Sequence, residues 1–217
     1  MKKIVLLALA AMISLCSFSQ ENNDNNINTK VMKKVLMING SPHKEGNTYL
    51  ALNEVAKQLK QNGVESEIVW IGTEPIGECI ACGQCRAKEL GECVNDNDVV
   101  NTVISKMNES DGLIVGSPVY YGTPTGSILS LIHRMLFAGA KVEGKPAAAV
   151  LVCRRGGATA AQQTLQMPFQ MMNMPIVTSS YWNILYGRTP GDVLKDEEGL
   201  RTMRRLADNM AKILKKE

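Results

Sequence analysis

Four cysteines crowd one short stretch of the chain: Cys79, Cys82, Cys85 and Cys93 read C-x2-C-x2-C-x7-C. The first three are spaced so that one turning loop can aim three thiolates at a single cube, the compact arrangement that a [4Fe–4S] cluster uses. Four thiolates also make a closed tetrahedral zinc site. In an oxidising compartment the same residues form one or two disulfides, and bare thiols are the fourth reading. Cys153 stands apart at the end of an apolar run and reads as a buried small hydrophobe.

A different chemistry is written in residues 35–48, VLMINGSPHKEGNT. Val35, Leu36, Met37 and Ile38 form a continuous apolar run, the pattern of a strand buried on both faces of a parallel sheet. Asn39 and Gly40 stop it, and from Asn47 onward Leu50, Leu52, Val55, Ala56 and Leu59 recur at helical spacing, with Asn47 expected as the N-cap. The first N–H groups of a helix have no partner inside it and carry the positive end of its dipole. An anion lodged between Ser41 and Thr48 therefore gains several hydrogen bonds, and Ser41, Asn47 and Thr48 add side-chain donors. There is no Gly-x-Gly-x-x-Gly and no Gly-Lys-Ser/Thr ending, so dinucleotide and nucleotide triphosphate loops are excluded. A small monophosphate remains.

Residues 113–126, LIVGSPVYYGTPTG, repeat the layout of apolar strand, Gly-Ser-Pro loop and helical pattern. In doubly wound sheets the carboxyl ends of the strands frame a crevice where ligands bind. Tyr120 and Tyr121, with Pro118, Gly122 and Pro124 around them, offer aromatic faces and close backbone approach to a flat ring. A phosphate at one end and a ring at the other describe flavin mononucleotide (FMN) better than any other common ligand.

Together with the cysteine cluster at 79–93 and RRGGATAAQQTL at 154–165, the two loops GSPHKEGNT and GSPVYYGTPTG carry a resemblance to a known family. The chain resembles the flavodoxin-like NADPH-dependent FMN reductases, and most of all their iron–sulfur flavoprotein branch, over about residues 33–215. The resemblance implies an α/β flavodoxin-like doubly wound sandwich with a five-stranded parallel sheet in the order 2-1-3-4-5. It assigns the FMN phosphate to Ser41, Asn47 and Thr48, and the ring to Pro118, Val119, Tyr120, Tyr121 and Gly122. A third loop at 154–157, with Arg154 and Gly156, approaches the ring. The four clustered cysteines become the ligands of a [4Fe–4S] cluster that takes electrons from FMN. The implied activity is oxidation of NAD(P)H through FMN, with electrons passed to a small-molecule or protein acceptor, and the implied assembly is a homodimer. Hydride transfer needs no acid or base side chain, so no catalytic residue of the usual kind is expected. The rivals are a flavodoxin-type electron carrier without NAD(P)H oxidation and a binding protein for another phosphate ligand.

Composition bounds the domain and excludes other classes. At 217 residues with 45% apolar content, the chain can bury one sizeable core without disulfides. A net charge of +3, with no basic run interleaved with aromatics, gives no nucleic-acid footprint. Only His43 and His133 are present and there is no Gly-x-Ser-x-Gly elbow, leaving little material for a hydrolase triad.

Residues 1–20 read as a secretory signal peptide, with Lys2 and Lys3, an apolar stretch at 4–15 and the small-x-small site Ser17-Phe18-Ser19. The stretch is too short for a permanent membrane span, and Leu15 sits where a lipid-modified precursor has a small residue before Cys16. Residues 21–32 are a polar linker and 33–217 the FMN-binding domain. An exported, periplasmic protein follows, and a cytoplasmic one if translation starts at Met32. An exported location weighs toward disulfides for the clustered cysteines.

The elements that must position these loops follow from periodicity. Strands are expected at 35–38, 66–71, 113–115, 147–152 and 176–178, and helices from 47 and over 99–107, 127–137, 158–172 and 197–215. Five strands alternating with helices imply a parallel sheet with right-handed crossovers.

Overall fold

The continuous apolar runs become the interior of a sheet covered on both faces. The computed structural model describes residues 32–216. The expected signal peptide and all but the last residue of the expected linker lie outside those residues. Five strands, β1 (Lys34–Asn39), β2 (Glu65–Trp70), β3 (Gly112–Pro118), β4 (Ala147–Cys153) and β5 (Ile184–Tyr186), pair in the order β2-β1-β3-β4-β5. Every pairing is parallel. The helices are α1 (Asn47–Gln61), α2 (Gln84–Ala87), α3 (Val100–Asn108), α4 (Gly126–Phe137), α5 (Ala158–Met171) and α6 (Glu197–Leu214).

Strand side chains alternate between two apolar layers, as the period of two demands. Leu36, Ile38, Leu113, Val115, Ala149 and Leu151 face the core shared with α3, α4 and α5. Val35, Met37, Ile114, Ala148 and Val150 face the other core, closed by α1 and α6. Because both faces are covered, β4 is buried along its whole length and β1 along all but its first residue. The edge strand β2 is only half-buried, which explains its weaker apolar signal. Among the described residues no helix is long and apolar enough to cross a membrane.

One expected strand is displaced. Ile176 makes only an isolated bridge to Ala147, and the fifth strand forms at Ile184–Tyr186 against Leu151–Cys153. Between them the chain leaves the sheet in a polar turn, where the Ser179 hydroxyl reaches the Tyr181 carbonyl at 2.6 Å and Asn183 Oδ1 at 2.7 Å. Asn183, a poor strand former, is buried there. The apolar pair Ile176 and Val177 marks where the chain joins the sheet, and the three residues that extend the ladder lie beyond the turn.

Candidate functional site: a phosphate loop, an aromatic hairpin and a cysteine pocket

The first loop runs from the end of β1 to the start of α1, and its backbone is fixed from several sides. The Gly40 N–H donates to the Gly116 carbonyl at 2.8 Å, and the Gly40 carbonyl accepts the Thr125 hydroxyl at 2.9 Å. A Cβ on Gly40 would lie 2.9 Å from Ile128 Cβ and 3.0 Å from the Gly116 oxygen, so only glycine fits this crossing. The fully buried Asn39 accepts the Ser41 N–H at 3.1 Å and donates to the Lys44 carbonyl at 3.0 Å. The Ser41 hydroxyl accepts the His43 N–H at 3.1 Å, and Trp70 Nε1–H donates to the Ser41 carbonyl at 2.8 Å.

The cap of α1 differs from the sequence expectation. Gly46 takes the extended N-cap conformation and Asn47 is the first helical residue. The Asn47 carboxamide turns instead to residues 187–191, donating to the Thr189 carbonyl and accepting the Gly191 N–H, both at 2.9 Å. No side chain caps α1, and no acidic residue sits in its first turn. The electropositive end of a 15-residue helix is thus left for an anion.

The second loop closes as a two-residue hairpin. Tyr120 and Thr123 exchange backbone hydrogen bonds of 2.9 and 3.0 Å, while Tyr121 and Gly122 hold φ of 51° and 85°. Positive φ at both central residues is the type I′ geometry. Behind it the Ser117 hydroxyl accepts the Thr125 N–H at 3.0 Å and donates to the Pro118 carbonyl at 2.8 Å. The third loop stacks on this hairpin, since a Cβ on Gly157 would lie 2.9 Å from Gly122 Cα. Neither α4 nor α5, the helices that follow these loops, has a side-chain cap.

A cavity of about 670 Å³ opens at the carboxyl ends of β1, β3 and β4, lined by the first loop, the hairpin and the segment after β5. It lies where strand order reverses between β1 and β3, the switch point at which such sheets bind ligands. The segment after β5 is tied down by Asp192, whose carboxylate accepts the Thr189 N–H at 2.7 Å and the Arg188 N–H at 3.1 Å. Those hydrogen bonds hold its pKa well below the usual carboxylate range.

The cysteine segment is a second site, away from the strand ends. Cys79, Cys82, Cys85 and Cys93 all line one small enclosed space of about 60 Å³ beneath α4. Cys85 is buried, Cys79 and Cys93 are half-buried, and Cys82 is exposed; none of the five cysteines among the described residues is disulfide-bonded. Ala81 and Gly83 both hold positive φ, 52° and 70°, so the backbone turns sharply between the thiols. Ala81 is a non-glycine residue in a left-handed conformation that costs about 1–2 kcal/mol, and the surrounding fold holds it there. Among the described residues no three His, Cys, Asp or Glu side chains group tightly enough for a single metal ion.

The sequence profile of the NADPH-dependent FMN reductases matches residues 33–188. An iron–sulfur flavoprotein of Methanocaldococcus jannaschii is 35% identical over 191 residues, covering 84% of this chain and 97% of its own. The chain belongs to the NADPH-dependent FMN reductase family, in its iron–sulfur flavoprotein branch. The fold is shared with an archaeal flavodoxin, at a TM-score of 0.56 and 14% identity over 84% of this chain and 99% of that one. It is shared also with FerB, a flavoenzyme NAD(P)H:(acceptor) oxidoreductase of Paracoccus denitrificans, at a TM-score of 0.63 and 20% identity over 85% and 98%.

Within this family member, Ser41, Asn47, Thr48, Pro118, Val119, Tyr120 and Arg154 all line the large cavity. Tyr121, Gly122 and Gly156 do not; Tyr121 projects fully into solvent, and Gly122 supports the third loop from beneath. Sequence reasoning missed Trp70, Gly187 and Arg188, which also line it. Trp70 was findable as the last residue of a strand next to β1. Gly187 and Arg188 were hidden by the displaced fifth strand. Cys153 is buried as expected, burial pushes its thiol pKa up, and it also reaches the cavity wall.

Proposed function

We propose that this flavin-dependent oxidoreductase holds FMN in the large cavity and a [4Fe–4S] cluster in the cysteine pocket, passing electrons from NAD(P)H to a separate acceptor. One observation carries the reading: an uncapped helix start and a locked aromatic hairpin face one cavity at the switch point of the sheet. Its volume of about 670 Å³ lies within the roughly 300–1,000 Å³ of small-molecule sites. Bound FMN supplies a ring that takes hydride from a nicotinamide and releases electrons, and a cluster supplies one-electron transfer.

The chain's own residues do the rest. The first N–H groups of α1 and the Ser41–Thr48 loop bind a phosphate dianion. Pro118, Val119 and Tyr120 set the plane of the ring. Arg154 and Arg188 line the cavity as fixed positive charges and attract the anionic groups of a nicotinamide substrate.

In the cysteine pocket the four thiols share one space. The C-x2-C-x2-C-x7-C spacing and the iron–sulfur flavoprotein relatives support a cluster over zinc. The proposal extends to a homodimer and to export of the chain by residues 1–20; sedimentation and cell fractionation test these two parts.

Anaerobic purification followed by addition of NADPH tests the central reading. A flavin double band over a broad iron–sulfur shoulder, bleached within the mixing time, is the expected spectrum. Flavin that NADPH leaves oxidised would identify an electron carrier, and a protein that stays colourless after added FMN would remove the flavin site.

A further inference from the structure

Arg134, on α4, heads the largest fully buried side chains among the described residues, and nothing in the flavin cavity uses it. Its guanidinium enters the cysteine pocket and grips both ends of the loop. It donates to the Gly77 carbonyl at 3.3 Å, just before Cys79, and to the Asn95 carbonyl at 2.5 Å, just after Cys93. An ion pair to Asp98, with both side chains buried, completes one side of it. The remaining direction is the informative one: Nε–H donates to Cys93 Sγ at 3.4 Å. A guanidinium has no acceptor, so the sulfur must be the acceptor, and it accepts well only as a thiolate or a metal-bound sulfur. Burying an ion pair is a poor way to fill space, since apolar residues of similar volume stabilise as well or better.

We propose that Arg134 is a positioning residue that raises the reduction potential of an iron–sulfur cluster held by the four cysteines, with Asp98 limiting how much of its charge is felt. This rests on the cluster reading above. Reduction adds one negative charge to the cluster, and a desolvated cation hydrogen-bonded to a ligand sulfur stabilises that added charge. Asp98 cancels part of the same field, so removing either member of the pair must move the potential in opposite directions.

The test is a potentiometric titration of the full chain, reconstituted anaerobically and followed by electron paramagnetic resonance and visible absorption, for the wild type and three variants. Arg134→Gln is expected to lower the cluster midpoint by at least a tenfold change in the reduction equilibrium, about 59 mV for a one-electron couple. Arg134→Lys keeps the charge and stays closer to the wild type than Arg134→Gln does. Asp98→Asn frees the charge and shifts the midpoint upward, which a merely structural role would not do. The flavin midpoint and FMN content are unchanged throughout. Should Arg134→Gln fail to fold, the upward shift in Asp98→Asn alone supports the inference. Cluster-bearing Arg134→Gln and Asp98→Asn proteins that titrate with the wild type overturn it and leave the cluster reading intact. A wild type that takes up no iron and sulfide overturns the cluster reading and the inference with it.

Discussion

The flavin cavity and the cysteine pocket are built by opposite means. The cavity is made by backbone: strand ends, uncapped helix starts and a hairpin, locked where Gly40 crosses Gly116 and where Gly157 crosses Gly122. The pocket is made by side chains: four thiols on a loop with one four-residue helix, held to α4 chiefly by Arg134. A backbone site is robust to truncation of its polar side chains and fragile to an added methyl group. A side-chain site behaves the other way round.

That difference ranks the expected effects of substitution. The largest belongs to Arg134→Met, which leaves the buried Asp98 carboxylate without its cation; breaking a buried pair in this way costs about 3–5 kcal/mol. Urea denaturation should show that loss with FMN content preserved in the folded fraction. Gly40→Ala comes next, because its Cβ would press on Ile128 Cβ and the Gly116 oxygen, and overpacking of this kind costs about 1–3 kcal/mol. Here FMN content should fall steeply, and a Gly40→Ala protein that retains stoichiometric flavin would break the contrast.

Asn47→Ala removes two hydrogen bonds to the 187–191 segment, each worth about 0.5–1.5 kcal/mol net. Equilibrium dialysis should find FMN bound severalfold more weakly, with iron content unchanged. Asp192→Asn gives the smallest effect, and it depends on pH. The folded state holds this carboxylate below its ordinary value of 3.8, so the stability it adds is full above that value and is lost as the pH falls further. The gap in melting temperature between wild type and Asp192→Asn should therefore be constant from pH 5 to 8, in buffers of about that range, and close under stronger acid.

How much of this was legible in the sequence follows from the same contrast. Both ligand loops could be read because continuous apolar runs such as 35–38, followed by Gly-Ser-Pro, leave few alternatives to a parallel strand and a helix start; the strand order was implied by the family resemblance and not by the pattern. The cysteine spacing could be read because four identical residues at short intervals mark one site. What escaped depends on long-range partners. Asn47 reads as a cap by local rules, yet its carboxamide is claimed by residues more than 140 positions away. Ile176 and Val177 read as the fifth strand, and only the turn at Ser179 and the buried Asn183 move the ladder to Ile184. Arg134 sits in a helical pattern where a charge reads as solvent-facing, and no local signal shows that it points into the cysteine pocket.

The most direct test measures FMN and iron per chain in three proteins side by side, the wild type, Gly40→Ala and Cys82→Ser. Cys82 is exposed, so its loss leaves the core packing alone. Two separately built sites require flavin and about four irons in the wild type, iron without flavin in Gly40→Ala, and flavin without iron in Cys82→Ser. Loss of both cofactors together in either variant, or iron retained in Cys82→Ser, would contradict the division of the molecule into a backbone-built flavin site and a side-chain-built cluster site.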